Sequence, residues 1–509
     1  MIERQNITEN SRRIARNTVL LYFRMLLTLL VGLFTTRVIV SSLGKPDFGT
    51  YGAVAGVVAM FGIFTNSMGS AISRFITFEM GNTKADLGKT FSTALSIQIL
   101  LAVAIALIAE PVGLWWISHK MVIEPGRLNA ARWVFQFTII NFAIQLVSVP
   151  YNADIIAHER MDAFAWISIL EALGKLGVAY AIMVSPFDRL ISYSALLAVV
   201  SLITRGAYGV FCNRHFPESR AGIHLDKETF GRMFAFAGWN TIGAGAGILR
   251  DQGGNQLLNL FFGPIANASW SLAAQVNGAA QKFVTSFTTA INPQITKSCA
   301  AGDKEYMMRL IFRGSRMSVW LLLLIVYPII FNTGFLVDLW LGKGLAPEGT
   351  VTFIRLVLVY LMVEAVSYTM VTAMLSTGKI RDYQLLVGGL LLMNVPVDYI
   401  LLKAGAPAET IYYVAIAIGI LCLFARLFML RKMTGLDIGR FLREVLLREI
   451  AVAGLALATP LALRNLPLGG WAAFLTSSLA TDLVAAVLIW RLGLDADERH
   501  IISHKLVRR

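Results

Sequence analysis

The stretch NTVLLYFRMLLTLLVGLFTTRVIVSSLG, residues 17–44, decides how the rest of the chain is read. It is apolar over more than the ~20 residues a helix needs to cross a bilayer, yet it holds Arg24 and Arg37. A charge near the middle of a span costs roughly 2.5–3.5 kcal/mol on insertion scales, so such a residue needs a partner, an aqueous face or a headgroup within reach. The segment also outruns the ~7–15-residue apolar core of a signal peptide. It therefore reads as a retained membrane helix behind a short basic lead.

The same texture runs through all 509 residues, of which 56% are hydrophobic and 15% charged, against roughly 25% charged in soluble domains. Apolar runs between charged punctuation predict an all-α integral membrane protein of about fourteen transmembrane helices. The seventh (232–250) and eighth (257–281) are the least hydrophobic, and the thirteenth (449–464) is short. With the N-terminus inside, 32 of the 45 Lys and Arg fall in inner segments and 9 in outer loops, as the positive-inside rule requires. Both termini are thus expected in the cytoplasm, and the net charge of +14 is explained by topology and attraction to anionic lipids. Nucleic acid is not implied.

The basic segment 212–231 is the natural midpoint. It divides an N-lobe (1–211, TM1–TM6) from a C-lobe (232–430, TM7–TM12), followed by 431–509 with TM13, TM14 and a cytoplasmic tail. At an offset of 219 residues Gly44 aligns with Gly263, Tyr51 with Trp270, Ala71 with Ala290, and Ile76 with Ile295. These matches predict two six-helix bundles related by a parallel pseudo-two-fold repeat, plus two C-terminal helices.

Catalytic chemistry finds no foothold. Cys212, Cys299 and Cys422 have no metal or redox spacing, and the six histidines read as loop or tail residues, so no metal site is expected. GKT at 88–90 lacks the first glycine and the strand of a phosphate loop. No enzymatic activity and no bound cofactor are expected.

Function then rests on polar groups at membrane depth. Arg24, Thr28, Val31 and Thr35 share one stripe of the first helix. Arg24 either snorkels to headgroups or lines a cavity; Arg74 and Arg250 either add positive charge to that cavity or anchor the interface. Asn240, Asn255 and Asn259 belong to an amide-rich series along the seventh and eighth helices, interleaved with small residues. Such a series suits either close helix packing or contact with sugar hydroxyls. Glu171 and Lys175, four apart with the acid first, suit an intrahelical ion pair, a gate or a proton site. Glu364, Asp398 and Asp482 are lone carboxylates at membrane depth.

The opening segment with its continuation KPDFGTYGAV and the later NSMGSAISRFITFEMG resembles the polysaccharide-transporter branch of the multidrug/oligosaccharidyl-lipid/polysaccharide exporter superfamily. The most telling piece is Leu43, Gly44, Asp47, Phe48, Gly49 and Tyr51. The resemblance implies a bacterial inner-membrane flippase that moves undecaprenyl-pyrophosphate-linked oligosaccharide repeat units to the outer leaflet by alternating access, for O-antigen or exopolysaccharide. Its partners would be that glycolipid, membrane lipids and other polysaccharide-assembly proteins. It gives Arg24 a phosphate to bind and implies coupling to protons or sodium, with Glu171, Lys175, Glu364 and Asp398 as coupling or gate candidates. A lipid II flippase is the nearest alternative. A multidrug cation antiporter is disfavoured by arginines where carboxylates would serve.

Overall fold

The computed structural model describes residues 2–80, 86–220, 222–378, 380–463, 469–495 and 498–499; within these, the side chains of 2–19, 21, 66, 70, 236, 237, 239–244, 290 and 380 are not described. The described residues form helices joined by short turns. In order they are α1 (Ile2–Leu43), α2 (Lys45–Ala59), α3 (Gly62–Met80), α4 (Leu87–His119), α5 (Leu128–Ala157), α6 (Met161–Ala181), α7 (Arg189–His215) and a 3₁₀ turn (Pro217–Arg220). There follow α8 (Lys227–Phe262), α9 (Pro264–Ala300), α10 (Lys304–Phe331), α11 (Thr333–Leu341), α12 (Thr350–Ala365), α13 (Tyr368–Ser376), α14 (Ile380–Leu392) and α15 (Asn394–Lys403). The chain closes with α16 (Thr410–Thr434), α17 (Ile438–Phe441), α18 (Leu447–Leu463) and α19 (Gly470–Leu488).

Among the described residues, eleven helical spans are long and apolar enough to cross a membrane, and the bent pair α2–α3 makes up to twelve. The long helices α8 and α9, 36 and 37 residues, stand where the two least hydrophobic spans are expected and complete fourteen. The thirteenth span is longer than expected, Ile438–Leu463, because the helix starts before its apolar run and passes a π turn at Leu442–Leu446. Leu107, Trp166, Ile400 and Leu483 are each more than 60% exposed, as befits side chains that face lipid rather than water.

Three spans expected as single helices are broken. Residues 60 and 61 separate α2 from α3, which are inclined at 54°; Val366 and Ser367 separate α12 from α13, and Met393 separates α14 from α15. None of these breaks contains proline, whereas Pro111, Pro150, Pro293 and Pro328 lie inside continuous helices. Neighbouring helices re-satisfy the backbone in lipid, so proline is a poor guide to where a span bends.

Contacts divide the chain into two compact units. The first comprises residues 1–268 with 340–347, and the second 269–339 with 348–509. Within the first, Met68, Ile72, Phe91, Ile155, Cys212 and Met233 form one buried cluster, and Val54, Ile105, Phe135 and Leu146 are part of another. Within the second, Trp320, Tyr327, Val452 and Ala485 join α10 to the last two spans. There the buried Arg316 donates to Asp495 at 2.8 Å and to Glu498 at 2.9 Å, drawing the segment after α19 onto α10.

The Leu43–Tyr51 signature has a local explanation. Gly44 takes φ 79° between α1 and α2, a value that glycine adopts at no steric cost. Asp47 receives the Arg127 guanidinium, which also binds Asp188, so one arginine joins the starts of α2, α5 and α7. Asp188 also caps α7, accepting from the Leu190 and Ile191 N–H groups. Partial burial alone would raise the Asp188 carboxyl, but Arg127 and these N–H groups hold it below the usual range. Tyr51 packs edge-on to Tyr193 of α7, with centroids 4.8 Å apart. The aligned Gly263 turn repeats the pattern: φ is 74° before α9, and Trp270 stacks on Tyr412 of α16 at 5.1 Å.

Gly88–Thr90, the GKT sequence, is the first turn of α4. Asp86 caps it, and Lys89 pairs with Asp226 at 3.0 Å.

Candidate functional site

Arg24 lies on the side of α1 that meets α6. Its guanidinium sits over the Phe164 ring, 4.6 Å from the centroid, and Nη1 lies 3.4 Å from the Ser168 hydroxyl. Phe164, Ser168, Glu171 and Lys175 follow one another at intervals of three or four residues, so they share one face of α6. Electrostatic interaction links Tyr208 of α7 with both Arg24 and Glu171. The structure thus gathers Arg24, Glu171 and Lys175, selected on separate helices, into one polar track among α1, α6 and α7. The Arg24 Nε is buried without a hydrogen-bond partner.

The Glu171–Lys175 ion pair forms, at 2.6 Å, with both side chains about a third exposed or more. A pair of that exposure stabilises little. Thr28 donates its hydroxyl to the Arg24 carbonyl at 2.8 Å and Thr35 to that of Val31 at 2.7 Å, so both bond their own helix.

Among the other arginines, Arg74 is exposed on α3. Arg250 binds the adjacent Asp251 through Nε and Nη2, at 2.9 and 2.7 Å.

Asn255 and Asn259 are 3% and 1% exposed, and their amides are engaged in packing. Asn255 donates to the Gly52 carbonyl at 3.1 Å, and Gln256 to that of Ala53 at 2.8 Å. Asn259 both donates to the Val122 carbonyl and accepts from its N–H, while Asn267 bonds to Asn255 and Asn259. Small residues bring α8 this close to α2. A Cβ on Gly56 would lie 2.5 Å from Asn255 Nδ2 of α8, and one on Gly49 1.7 Å from the carbonyl oxygen of Pro264, which opens α9. Of the two uses such amides suit, close packing and sugar contact, the hydrogen bonds seen here belong to packing. The Asn240 side chain lies outside the described residues.

Of the carboxylate candidates in the second unit, Asp398 and Glu364 occupy broken spans, and Asp482 lies within the continuous α19. Asp398 is 1% exposed, and its Oδ1 has no hydrogen-bond partner; nor has Oδ1 of Asn394, one turn earlier on α15. Glu364 lies at the break between α12 and α13 and is half-buried. A cavity of about 420 Å³ lined by Asn332, Arg355, Thr476 and Ser477 lies in the same unit and includes none of the candidates.

Sequence reasoning passed over His158. It caps α5 and lies between the carboxylates of Asp154 and Glu218, at 3.3 and 3.1 Å. The available signal was Asp and His four residues apart at the end of a span; Glu218 is 60 residues further on and is brought there only by the fold.

These features define a multi-pass membrane protein, helical throughout its described residues, with broken spans and partly buried charge. Residues 14–299 match the polysaccharide biosynthesis protein family, and the chain belongs to that family. The fold is shared with a lipid II flippase, MurJ, in an inward closed conformation. The TM-score is 0.70 at 11% identity, over 97% of this chain and 100% of that one. It is shared too with an inward-facing multidrug resistance transporter of the MATE family, at TM-score 0.67 and 12% identity over 83% and 99% of the two chains. A MOP superfamily transporter from Pyrococcus furiosus, described as having a binding pocket of reversed polarity, aligns at TM-score 0.61 and 11% identity over 83% of this chain and 95% of that one. No curated protein sequence matches the chain.

Proposed function

We propose that the protein is a flippase for polyprenyl-pyrophosphate-linked oligosaccharide repeat units, moving them from the cytoplasmic to the outer leaflet of a bacterial inner membrane for O-antigen or exopolysaccharide assembly. The family match over residues 14–299 is the observation that carries the reading. Arg24 adds the chemistry: it is charged, half-buried and has an unpartnered Nε, as a guanidinium that receives a pyrophosphate requires. Glu171 and Lys175 are its switchable neighbours. In this reading, the pair releases Lys175 toward the substrate anion when Glu171 is protonated. Asp398 with Asn394 is the proposed coupling-cation site, where buried oxygens without donors suit a proton or sodium. Transport by alternating access requires α2 and α8 to part at the Asn255–Gly52 contact. Arg74 and Arg250 are kept as secondary anion contacts.

Complementation tests the reading. The gene is deleted and restored as wild type, Arg24→Ala or Arg24→Lys, with surface glycan, lipid-linked precursor and protein level measured together. The expected result is a well-expressed Arg24→Ala protein that leaves glycan on its carrier, with partial rescue by Lys. Normal export by Arg24→Ala would make Arg24 a packing residue. Restored growth in place of a lipid II flippase would move the substrate to the peptidoglycan precursor.

A further inference from the structure

We propose that Asp154, His158 and Glu218 form a binding site for one divalent transition cation, zinc by its donor set, at the end of α5. One ligand atom from each lies within 4.8 Å of the others. The arrangement is built from one helix end and one turn. Asp154 and His158 stand a turn apart on α5, and Glu218 lies in the Pro217–Arg220 turn that follows α7.

The hydrogen-bond pattern argues for a cation between these groups. The His158 Nδ1 is 3.1 Å from the Asp154 backbone carbonyl, which can only accept, so Nδ1 carries the proton. The neutral ring then turns the Nε2 lone pair toward Glu218 Oε1 at 3.1 Å, one acceptor facing another. The Asp154 carboxylate is fully buried, and it and Glu218 Oε1 meet only the imidazole, at 3.3 and 3.1 Å, and each other, with no donor from outside the cluster. A buried charge left in that state is costly.

Charge and donor type select the ion. Without a metal, a proton shared between Asp154 and Glu218 and a second on the ring would be needed to neutralise the cluster, whereas one divalent cation with a neutral ring balances both carboxylates at once. The adjacent arginines are engaged elsewhere, Arg160 with Asp162 and Arg205 over the Tyr151 ring. One imidazole nitrogen and two carboxylate oxygens make a zinc-type set with a coordination position left over. Magnesium prefers oxygen donors in octahedral array and fits less well. Cys212 supplies no thiolate, since its Sγ–H points to the Tyr151 carbonyl at 3.6 Å. Phe216 stacks on the imidazole at 4.0 Å and keeps the site apolar on one side. The bound ion would staple the first residues after α7 to the end of α5, fixing the start of the segment between α7 and α8.

The test uses the full chain, purified through a histidine-free tag, stripped with chelator and dialysed against Zn²⁺. Elemental analysis of the wild type should find one retained zinc per chain. His158→Gln and Glu218→Gln, which keep the shape of each side chain, should bind at least about ten-fold more weakly. Co²⁺ in place of zinc should give visible d–d bands in the wild type and lose them in both variants. If His158→Gln fails to fold, Glu218→Gln carries the comparison. A wild type that retains no metal, or variants that retain as much as wild type, would overturn the assignment.

Discussion

Arg24 shows what one residue can and cannot reveal. Its charge inside an apolar run is plain in the sequence, because few residues carry such a cost without a use. Its neighbours are not, since Phe164, Ser168 and Tyr208 are more than 100 positions away and a single helix has no inside. The same holds for His158, whose partner Glu218 comes from another helix end. Glycines 49 and 56 tell the opposite story: the resemblance singled out Gly49, and the structure gives the reason, backbone against backbone. Gly49→Ala is expected to destabilise the contact between α2 and the start of α9 by about 1–3 kcal/mol, more than Gly62→Ala, where no atom lies within 4 Å of the added carbon. Thermal melting in detergent compares the two, and equal melting temperatures would remove the close-approach argument.

Among elements, the order of spans and the number of all but α8 and α9 follow from apolar length, while the breaks at 60–61, 366–367 and 393 do not. Breaks depend on which neighbour takes up the freed backbone groups, information that local composition lacks. The Arg127 clamp was partly visible, in that Asp47 belongs to the recognised signature; its second partner Asp188 was not. Arg127→Ala is expected to cost roughly 1.5–3 kcal/mol, the range for charged hydrogen bonds of this kind, with Asp47 and Asp188 left facing each other. The pH dependence has a definite sign. Asp188 titrates lower in the folded protein, so its contribution is complete above the ordinary carboxylate range and is lost as pH falls through its depressed value. Melting curves from neutral pH downward should therefore steepen in wild type and flatten in Asp188→Asn; parallel curves would show that the clamp does not couple to protons.

For the whole molecule, the expectation of fourteen spans with both termini in the cytoplasm predicts where reporters work. A fluorescent protein fused after Gly435 should fold and glow, and a phosphatase fused after Gly405 should be active, because these residues end and precede α16 at opposite faces. The reverse pattern would mean that one span before α16 is miscounted or that the chain is inverted. Composition carried the multi-span description almost unaided, as lipid imposes the same length and polarity on every span; the orientation read from charge waits on these fusions. The candidate site was less legible than the fold: charge marked Arg24, Glu171 and Lys175, but only folding put them on one track.

The fit of Gly56 against Asn255 also has a consequence for how such sequences diverge. With 2.5 Å between an added carbon at 56 and the amide at 255, neither position is free to drift alone. A relative with alanine at 56 has room only for a shorter residue at 255, such as serine or glycine, and loses the bond to the carbonyl at 52. Paired exchange at these two sites across the family would be the historical trace of the contact, and independent variation would show that relatives close this end of the bundle differently.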